Sequence, residues 1–205
     1  MCPVAKRKPE KNSRPGRLRI VAGNWRSRLL DIASIPGLRP TPARIRETIF
    51  NWLAPRISGA RCLDLCAGTG ALGLEALSRG AGRCVFVEKS PVAVAALRAN
   101  IASLAAKAAV IHAMDARDYL QQHCNETFDV VFLDPPFAAG LLPELCELLE
   151  ENHVLGNGAR VYIEEDRATP CAAIPQSWQV LKTANAGNVR YSLLATGKES
   201  ERTSR

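Results

Sequence analysis

The sequence lacks an apolar stretch of the roughly 20 residues that a helix needs to cross a bilayer. Its N-terminal segment, rich in lysine, arginine and proline, is too polar to resemble a secretory signal. These two absences predict a soluble, cytoplasmic protein. Internal repeats are absent as well, and a length of 205 residues predicts one domain with a small appendage.

Paired cysteines are also missing. The seven cysteines form no CxxC motif, and with three scattered histidines the chain offers no spacing typical of a metal site. Most of the cysteines stand in strand or helix patterns, as at Cys62, Cys84 and Cys146. We therefore expect reduced cysteines that fill the core, and no bound metal.

Positive charge is concentrated at the N-terminal end. Residues 1–61 carry 14 Lys and Arg against 3 acidic residues, a net charge of +11, whereas residues 62–205 carry 13 against 17, a net charge of −4. Such a basic surface favours a polyanion, RNA or DNA, because lysine and arginine neutralise phosphates. A solubilising tail is the alternative for residues 1–16 alone.

The basic segment also contains patterned sequence. Residues 1–16 predict a disordered tail, and two strand-like runs on either side of Gly23 and Asn24 predict a small hairpin. Thr41 before Pro42 predicts the N-cap of a helix whose apolar residues recur at helical spacing. The arginines of this hairpin and helix form either a solvated face or contacts to RNA phosphates. They are Arg26, Arg28, Arg39, Arg44 and Arg46.

From residue 61 onward, strand-like and helix-like segments alternate. Five apolar strands separated by helices predict a doubly wound parallel sheet, which is an α/β fold. Two further strand-like runs flank residues 185–188 and predict a hairpin that adds an antiparallel pair at one edge. The predicted parts are a basic tail at 1–16, a hairpin and helix at 17–56, the α/β domain at 57–197 and a polar tail at 198–205.

A glycine-rich loop follows the first strand of this α/β domain. Gly68, Gly70 and Gly73 stand in the order GxGxxG, which permits a tight turn and lets the backbone approach a ligand at a helix N-terminus. Glu88 ends the second strand, where a carboxylate accepts hydrogen bonds from both ribose hydroxyls of an adenosine cofactor. A nicotinamide dinucleotide would satisfy both features, so a dehydrogenase has to be considered.

Asp64 argues against a dinucleotide. The position four residues before the first glycine is usually apolar in a dinucleotide fingerprint, whereas a carboxylate there suits the ammonium group of a bound amino acid. The candidate cofactor is therefore S-adenosylmethionine, which joins adenosine to an amino-acid end. Asp115 and Ala116, just past the third strand, are expected beside the adenine, where Asp115 accepts from the adenine amine or else caps the next helix.

The motif DPPF follows the apolar run FDVVFL, which predicts a buried parallel strand. Open α/β sheets bind their ligands at the carboxyl ends of strands. Two prolines fix the backbone and remove two donors, so the aspartate and the first proline's carbonyl are left as acceptors beside a flat phenylalanine ring. This corner suits an amino group held by its hydrogens while its ring stacks. The catalytic residues predicted from it are Asp134, Pro135, Pro136 and Phe137.

Several of these segments together resemble the RsmD family, the bacterial small-subunit (16S) ribosomal RNA guanine-N2 methyltransferases. The matching segments are DLCAGTGALGLEALSRGA, FDVVFLDPPF and the upstream RIVAGNWRSRLL and LRPTPARIRETIFNWL, and the resemblance covers residues 18 to about 196. It implies a Rossmann-like class I methyltransferase fold with a mostly parallel seven-stranded sheet. It also implies S-adenosylmethionine as cofactor, and a monomer that acts on ribosomal RNA in the small subunit or an assembly intermediate. Cys66 departs from the family, which commonly has an aromatic residue there.

The resemblance implies methylation of the exocyclic N2 of guanine, and three other functions remain open. An adenine-N6 methyltransferase acting on DNA or RNA would use a similar corner, although such enzymes more often carry Asn where Asp134 stands. A protein or small-molecule methyltransferase would leave the basic segment without a role. A non-catalytic RNA-binding assembly factor would need a cofactor pocket that has lost its use.

Overall fold

The computed structural model describes residues 16–35, 39–123 and 126–197. The strands are β1 (Arg17–Arg19), β2 (Leu29–Asp31), β3 (Arg61–Asp64), β4 (Arg83–Val87), β5 (Ala109–His112), β6 (Phe128–Leu133), β7 (Leu155–Asp166), β8 (Gln179–Ala186) and β9 (Val189–Ala195). The helices are α1 (Ala43–Ile57), α2 (Ala71–Ser78), α3 (Pro91–Ser103), α4 (Ala116–Gln122) and α5 (Leu142–Glu151), with a short 3₁₀ turn at Phe137–Ala139. The two predicted tails, except for Gly16, lie outside the described residues.

Seven strands form one sheet in the order β5-β4-β3-β6-β7-β9-β8. Strands β3 to β7 are parallel to one another, whereas β9 runs antiparallel to both β7 and β8. This confirms the predicted mostly parallel sheet with an antiparallel edge hairpin. Within the part of the chain that the structure describes, no helix is both long and apolar enough to cross a membrane.

The position of β6 inside the sheet explains why its sequence is almost continuously apolar. Val130 and Phe132 pack into a core that also contains residues of α1, α2 and α3, while Val131 and Leu133 face a second core with residues of α4 and α5. Helices therefore cover both faces of the sheet, so neither face of a central strand tolerates polar side chains. Cys62, Cys84 and Cys146 are buried free thiols in these cores, as predicted.

The N-terminal extension shares the first of these cores. Strands β1 and β2 pair antiparallel, which confirms the hairpin, and Leu18 and Leu30 are buried in the same cluster as Leu74 of α2. The prediction that Thr41 is the N-cap of α1 is wrong by one residue. Pro42 occupies that position with no side-chain capping hydrogen bond. The Thr41 hydroxyl donates instead to Asp134, at 3.4 Å.

The structure also contradicts the role predicted for Arg46. Its side chain is 2% exposed, and it donates to Glu75 Oε2 at 2.9 Å and to the carbonyls of Thr41 and Arg19 at 3.1 and 2.8 Å. The prediction that Arg46 contacts RNA phosphates is therefore wrong. Helical spacing places this residue near the edge of the apolar face, but it cannot show that the hairpin covers that edge.

Glu75 joins the extension to the α/β domain. Its side chain is completely buried in α2 and accepts the backbone N–H groups of Val21 and Ala22 at 2.9 and 3.0 Å. The same carboxylate pairs with Arg46 and with Arg79, each at 2.9 Å. One side chain thus satisfies two backbone donors of the hairpin region and a buried guanidinium of α1.

Candidate active site

The candidate site lies where the strand order reverses. From the central β3 the chain proceeds outward through β4 and β5, and later returns to the other side of β3 to form β6 and β7. A crevice opens at the carboxyl ends of strands at such a point. Asp64 ends β3, Glu88 follows β4, Asp115 precedes α4 and Asp134 follows β6, so the predicted carboxylates surround one crevice.

A first cavity of about 370 Å³ extends from the glycine loop toward β5. Its lining combines carboxylates and Gly68 of the loop with apolar side chains such as Met114 and Leu145. A flat heterocycle with a polar sugar suits this combination. The predicted cofactor residues in its lining are Gly68, Glu88, Asp115 and Ala116.

Glu88 accepts hydrogen bonds from two loops, the glycine-rich loop and the loop that follows β4. Its Oε2 accepts the N–H of Gly68 at 2.8 Å, and its Oε1 accepts the N–H of Ser90 at 2.7 Å. Each carboxylate oxygen has a second lone pair, so these bonds leave capacity for two hydroxyl groups. The carboxylate therefore has a fixed position at the cavity wall.

Asp115 is the N-cap of α4, which is the alternative that its sequence position left open. Its side chain accepts the N–H of Arg117 at 3.0 Å and lies 3.2 Å from Lys89 Nζ. The backbone hydrogen bond from Arg117 is the main cause of a lowered pKa for Asp115, with Lys89 also contributing. Asp115 is therefore ionised at neutral pH and still lines the cavity.

The three glycines of the loop have different roles. Gly68 lines the first cavity, whereas Gly70 and Gly73 do not. Gly70 adopts a φ of +73°, which favours glycine, and caps α2. A Cβ at Gly73 would collide with the Phe86 ring of β4, so this glycine allows α2 to pack closely on the sheet.

Asp64 is a buried carboxylate, 3% exposed, that accepts the N–H of Gly73 at 2.9 Å. Burial raises its pKa to about 7 against the opposing effect of this hydrogen bond, and the negative charges of Asp134 and Glu88 raise it further. A cationic ligand group would relieve this repulsion. The ammonium site expected at Asp64 stays a prediction.

A second cavity, of about 520 Å³, lies between the segment before α1, the glycine loop and the DPPF corner. It shares Cys66, Gly68, Asp134 and Pro136 with the first cavity. Asp134 therefore stands at the junction of the two spaces. Burial raises the pKa of the Cys66 thiol to about 12, so Cys66 is a neutral wall residue there.

The DPPF corner follows β6 directly, at the carboxyl end of that strand. Pro135 is buried, and Phe137 begins the 3₁₀ turn with 42% of its side chain exposed. Both residues line the second cavity. The ring thus remains available as a flat surface beside the Asp134 carboxylate.

Sequence reasoning missed Glu164. This residue of β7 is 4% exposed and lines the second cavity, one position beyond the paired residues Leu133 and Ile163. Its Oε1 accepts the Tyr162 hydroxyl at 2.8 Å. The available signal was an acidic residue at the carboxyl end of the strand that follows DPPF.

The predicted RNA-binding arginines do not form one group. Arg39 is exposed and lines the second cavity, and Arg44 is exposed on the first turn of α1. Arg26 and Arg28 lie on the hairpin turn, where Arg28 donates to the carbonyl of Ser103 at 3.0 Å. Because Ser103 is the last residue of α3 and precedes β5, this turn lies near the amino ends of the parallel strands, whereas the cavities lie at their carboxyl ends.

Comparison with known proteins gives concordant matches. The family described as "Conserved hypothetical protein 95" matches residues 18–195. "Ribosomal RNA small subunit methyltransferase D" of Escherichia coli K12 is 41% identical over 194 residues, covering 95% of this chain and 98% of the relative. The solved Escherichia coli protein yhhF is 38% identical with a TM-score of 0.83, covering 90% of this chain and all of that one. A ribosomal protein L11 methylase from Lactobacillus delbrueckii shares the fold, with a TM-score of 0.62 at 16% identity over 80% of this chain and 83% of that one.

Proposed function

Because the chain belongs to the RsmD family of ribosomal RNA small subunit methyltransferases, we propose that it methylates the exocyclic N2 of a guanine in small-subunit ribosomal RNA. S-adenosylmethionine is the proposed methyl donor. The observation that carries the proposal is the position of Asp134 at the junction of two cavities. One cavity suits an adenosine cofactor, and the other opens toward the basic extension.

The residues of the first cavity fit S-adenosylmethionine. Glu88 would accept the ribose hydroxyls, and Asp115 and Ala116 would border the adenine. Asp64, which lines the second cavity together with the shared Gly68, would hold the ammonium group. Gly68 keeps the wall free of a side chain beside them. S-adenosylmethionine, when bound, supplies an electrophilic methyl group on a positively charged sulfur.

The DPPF corner would orient the acceptor amine. The lone pair of a guanine N2 is delocalised into the ring, which makes it a poor nucleophile. If Asp134 and the Pro135 carbonyl accept its two hydrogens, the nitrogen can become pyramidal with its lone pair directed at the methyl carbon. Positioning would then supply most of the catalysis, and Asp134 or water would take the proton from the methylated amine.

Phe137 would hold the base itself. A base in folded RNA must leave its stack before it reaches the corner, which costs a few kcal/mol. Stacking on an aromatic ring returns about 1–3 kcal/mol. The exposed ring of Phe137 at the cavity wall offers such a surface.

Identification of the methylated nucleoside tests the proposal directly. The protein is incubated with labelled S-adenosylmethionine and, separately, with naked 16S ribosomal RNA and isolated small subunits. The RNA is then digested to nucleosides. We expect N2-methylguanosine, and N6-methyladenosine would overturn the proposal. We further propose that the protein acts as a monomer in the cytoplasm, on the RNA or on a subunit precursor.

Replacement of Glu88 tests the cofactor site. Glu88→Ala should weaken binding of S-adenosylhomocysteine about 10- to 100-fold, because hydrogen bonds to a charged acceptor contribute roughly 1.5–3 kcal/mol. The measurement is isothermal titration calorimetry, with thermal unfolding as a check that the glycine loop remains folded. Glu147→Ala, at an exposed position of α5 that lines neither cavity, is the control. An unchanged affinity for Glu88→Ala would remove this carboxylate from the site.

Arg39 and Arg44 are proposed to contact RNA phosphates beside the target base. The double variant Arg39→Gln/Arg44→Gln should reduce the slope of log affinity against log salt by about 0.7–0.9 for each lost phosphate contact. Binding to a ribosomal RNA fragment is measured by fluorescence anisotropy at several salt concentrations. Lys107→Gln, at an exposed position near the amino end of β5, should leave the slope unchanged. Equal slopes for the double variant and wild type would exclude both arginines.

A further inference from the structure

Three carboxyl groups lie along the carboxyl ends of three adjacent strands. Asp64 ends β3, Asp134 follows β6 and Glu164 lies near the end of β7, and the sheet has these strands in the order β3-β6-β7. Neighbouring strands are about 4.8 Å apart. The proposed function uses Asp64 for the cofactor ammonium group and Asp134 for the acceptor amine. Glu164 is the next carboxyl group in this row, on the side away from Asp64.

The register of the sheet places Glu164 beside Asp134. Phe132 and Tyr162 are paired residues of β6 and β7, and both pack into the core that contains residues of α1 and α2. Asp134 and Glu164 each follow two positions later. Because side chains alternate between the two faces of a sheet, these carboxyl groups project from the same face. Both of them line the second cavity.

The Glu164 side chain is buried and held in one orientation. It is 4% exposed, and its Oε1 accepts the Tyr162 hydroxyl at 2.8 Å. A carboxylate has about four acceptor sites on its two oxygens, so this bond leaves capacity for a donor that enters the cavity. Tyr162 therefore fixes one oxygen while the other remains able to bind a ligand.

Phe137 and Glu164 also share a third cavity, of about 590 Å³. Its lining combines proline, leucine and alanine side chains with three acidic residues, Glu164, Glu165 and Asp166. Negative charge on this side disfavours a phosphate group. A purine has apolar faces and N–H donors at its edge, so a base suits the space beside Phe137 and Glu164 better than the RNA backbone does.

The chemistry of guanine matches two neighbouring acceptors. Its exocyclic N2 and its ring N1–H are attached to the same carbon atom, and both groups donate hydrogen bonds. In adenine the amine lies next to an N1 that carries no hydrogen and accepts instead. If Asp134 holds the amine, a second carboxylate beside it attracts the N1–H of guanine and repels the N1 lone pair of adenine.

We propose that Glu164 is the residue that selects guanine, because its carboxylate accepts the N1–H of the target base while Asp134 accepts from N2. Enzymes that act on an extruded base read its Watson–Crick edge in this way. Burial raises the pKa of Glu164 to about 8, and a bound N1–H donor would oppose this shift by favouring the ionised form. The inference rests on the proposed function and names the feature of the base that the site requires.

A base analogue tests the contact on the substrate side. 2-Aminopurine keeps the N2 amine of guanine but has an acceptor at N1. The methylated position is first mapped with wild-type protein, and RNA is then prepared with guanine or 2-aminopurine at that position. We expect the wild-type single-turnover specificity constant to be at least 10- to 100-fold lower for 2-aminopurine, because a site built for an N–H donor rejects an analogue that lacks it.

Glu164→Gln tests the contact on the protein side. Since the Tyr162 hydroxyl donates to Oε1, the amide oxygen would take that position and the amide NH₂ would face the cavity. This NH₂ donates to the N1 of 2-aminopurine and opposes the N1–H of guanine. We expect the ratio of the guanine to the 2-aminopurine specificity constant to fall by about 10- to 100-fold relative to wild type. Glu147→Gln, at an exposed position of α5, is the matched control and should keep the wild-type ratio.

The ratio separates base recognition from structural support. Loss of a merely structural contact would slow both RNAs together and leave the ratio unchanged, which would overturn the inference. Melting temperatures and calorimetry with S-adenosylhomocysteine check that Glu164→Gln is folded and binds the cofactor. If native RNA gives N2-methylguanosine and the ratio is unchanged, only the role of Glu164 is refuted. If native RNA gives N6-methyladenosine, the proposed function itself fails.

Discussion

Asp134→Ala should slow the methyl-transfer step by about 100- to 1000-fold while the cofactor and the RNA still bind, because a group that stabilises developing charge acts mainly in the transition state. We propose this role for Asp134 because it lines both cavities and is the carboxylate of the DPPF corner. Single-turnover kinetics at saturating RNA and S-adenosylmethionine measures the step. Calorimetry with S-adenosylhomocysteine measures the retained affinity.

Phe137 provides the matched comparison for Asp134. Phe137→Ala should weaken productive RNA engagement, whereas Phe137→Tyr and Phe137→Trp should keep partial activity because each retains an aromatic face. A near-normal single-turnover rate for Asp134→Ala would refute the proposed mechanism. An inactive but folded Phe137→Tyr would show that the ring does something other than stack.

Glu75→Gln should reduce the free energy of unfolding by about 3–5 kcal/mol, because it leaves the buried Arg46 guanidinium without its partner. Burial already lowers the pKa of Arg46, and Glu75 opposes that shift. For a domain of this size each kcal/mol moves the melting temperature by roughly 2–4 °C, so we expect a fall of about 10 °C. Thermal and urea unfolding measure it.

Hydrogen exchange and a milder variant test the cause of this instability. The amides of Val21 and Ala22 should exchange faster in Glu75→Gln, since both donate to this carboxylate. Arg79→Gln removes a more exposed partner of Glu75 and should cost less. A Glu75→Gln protein that loses less than about 1 kcal/mol, or that keeps both amides protected, would show that the hairpin is held mainly by its apolar contacts.

The parts of the molecule that the sequence predicted are those governed by local pattern. The continuous apolar run of β6 and the turn residues of DPPF each depend on neighbours in the chain, and the structure confirms the buried strand. The edge hairpin follows from two strand-like runs at Gln179–Ala186 and Val189–Ala195. Periodicity and turn chemistry are sufficient for such elements.

The missed features depend on contacts between distant parts of the chain. Helical spacing shows which face of α1 is apolar, but the burial of Arg46 depends on a glutamate 29 residues away. Thr41 resembles an N-cap locally, yet its hydroxyl meets an aspartate 93 residues further along. Spacing alone cannot show that a polar side chain joins a buried hydrogen-bond network instead of bonding to its neighbours in the chain.

The contacts of Thr41 and Glu75 also bear on how the two parts of this protein could have evolved or could be recombined. An α/β domain that began at residue 57 would retain Asp64, Glu88 and Asp134, but it would lose the hydroxyl that reaches Asp134. Glu75 would in addition lose the hairpin amides and the guanidinium that satisfy it. The N-terminal extension is therefore not an exchangeable module, and a chimera with a foreign N-terminal segment would have to rebuild both the contact to Asp134 and a buried ion pair.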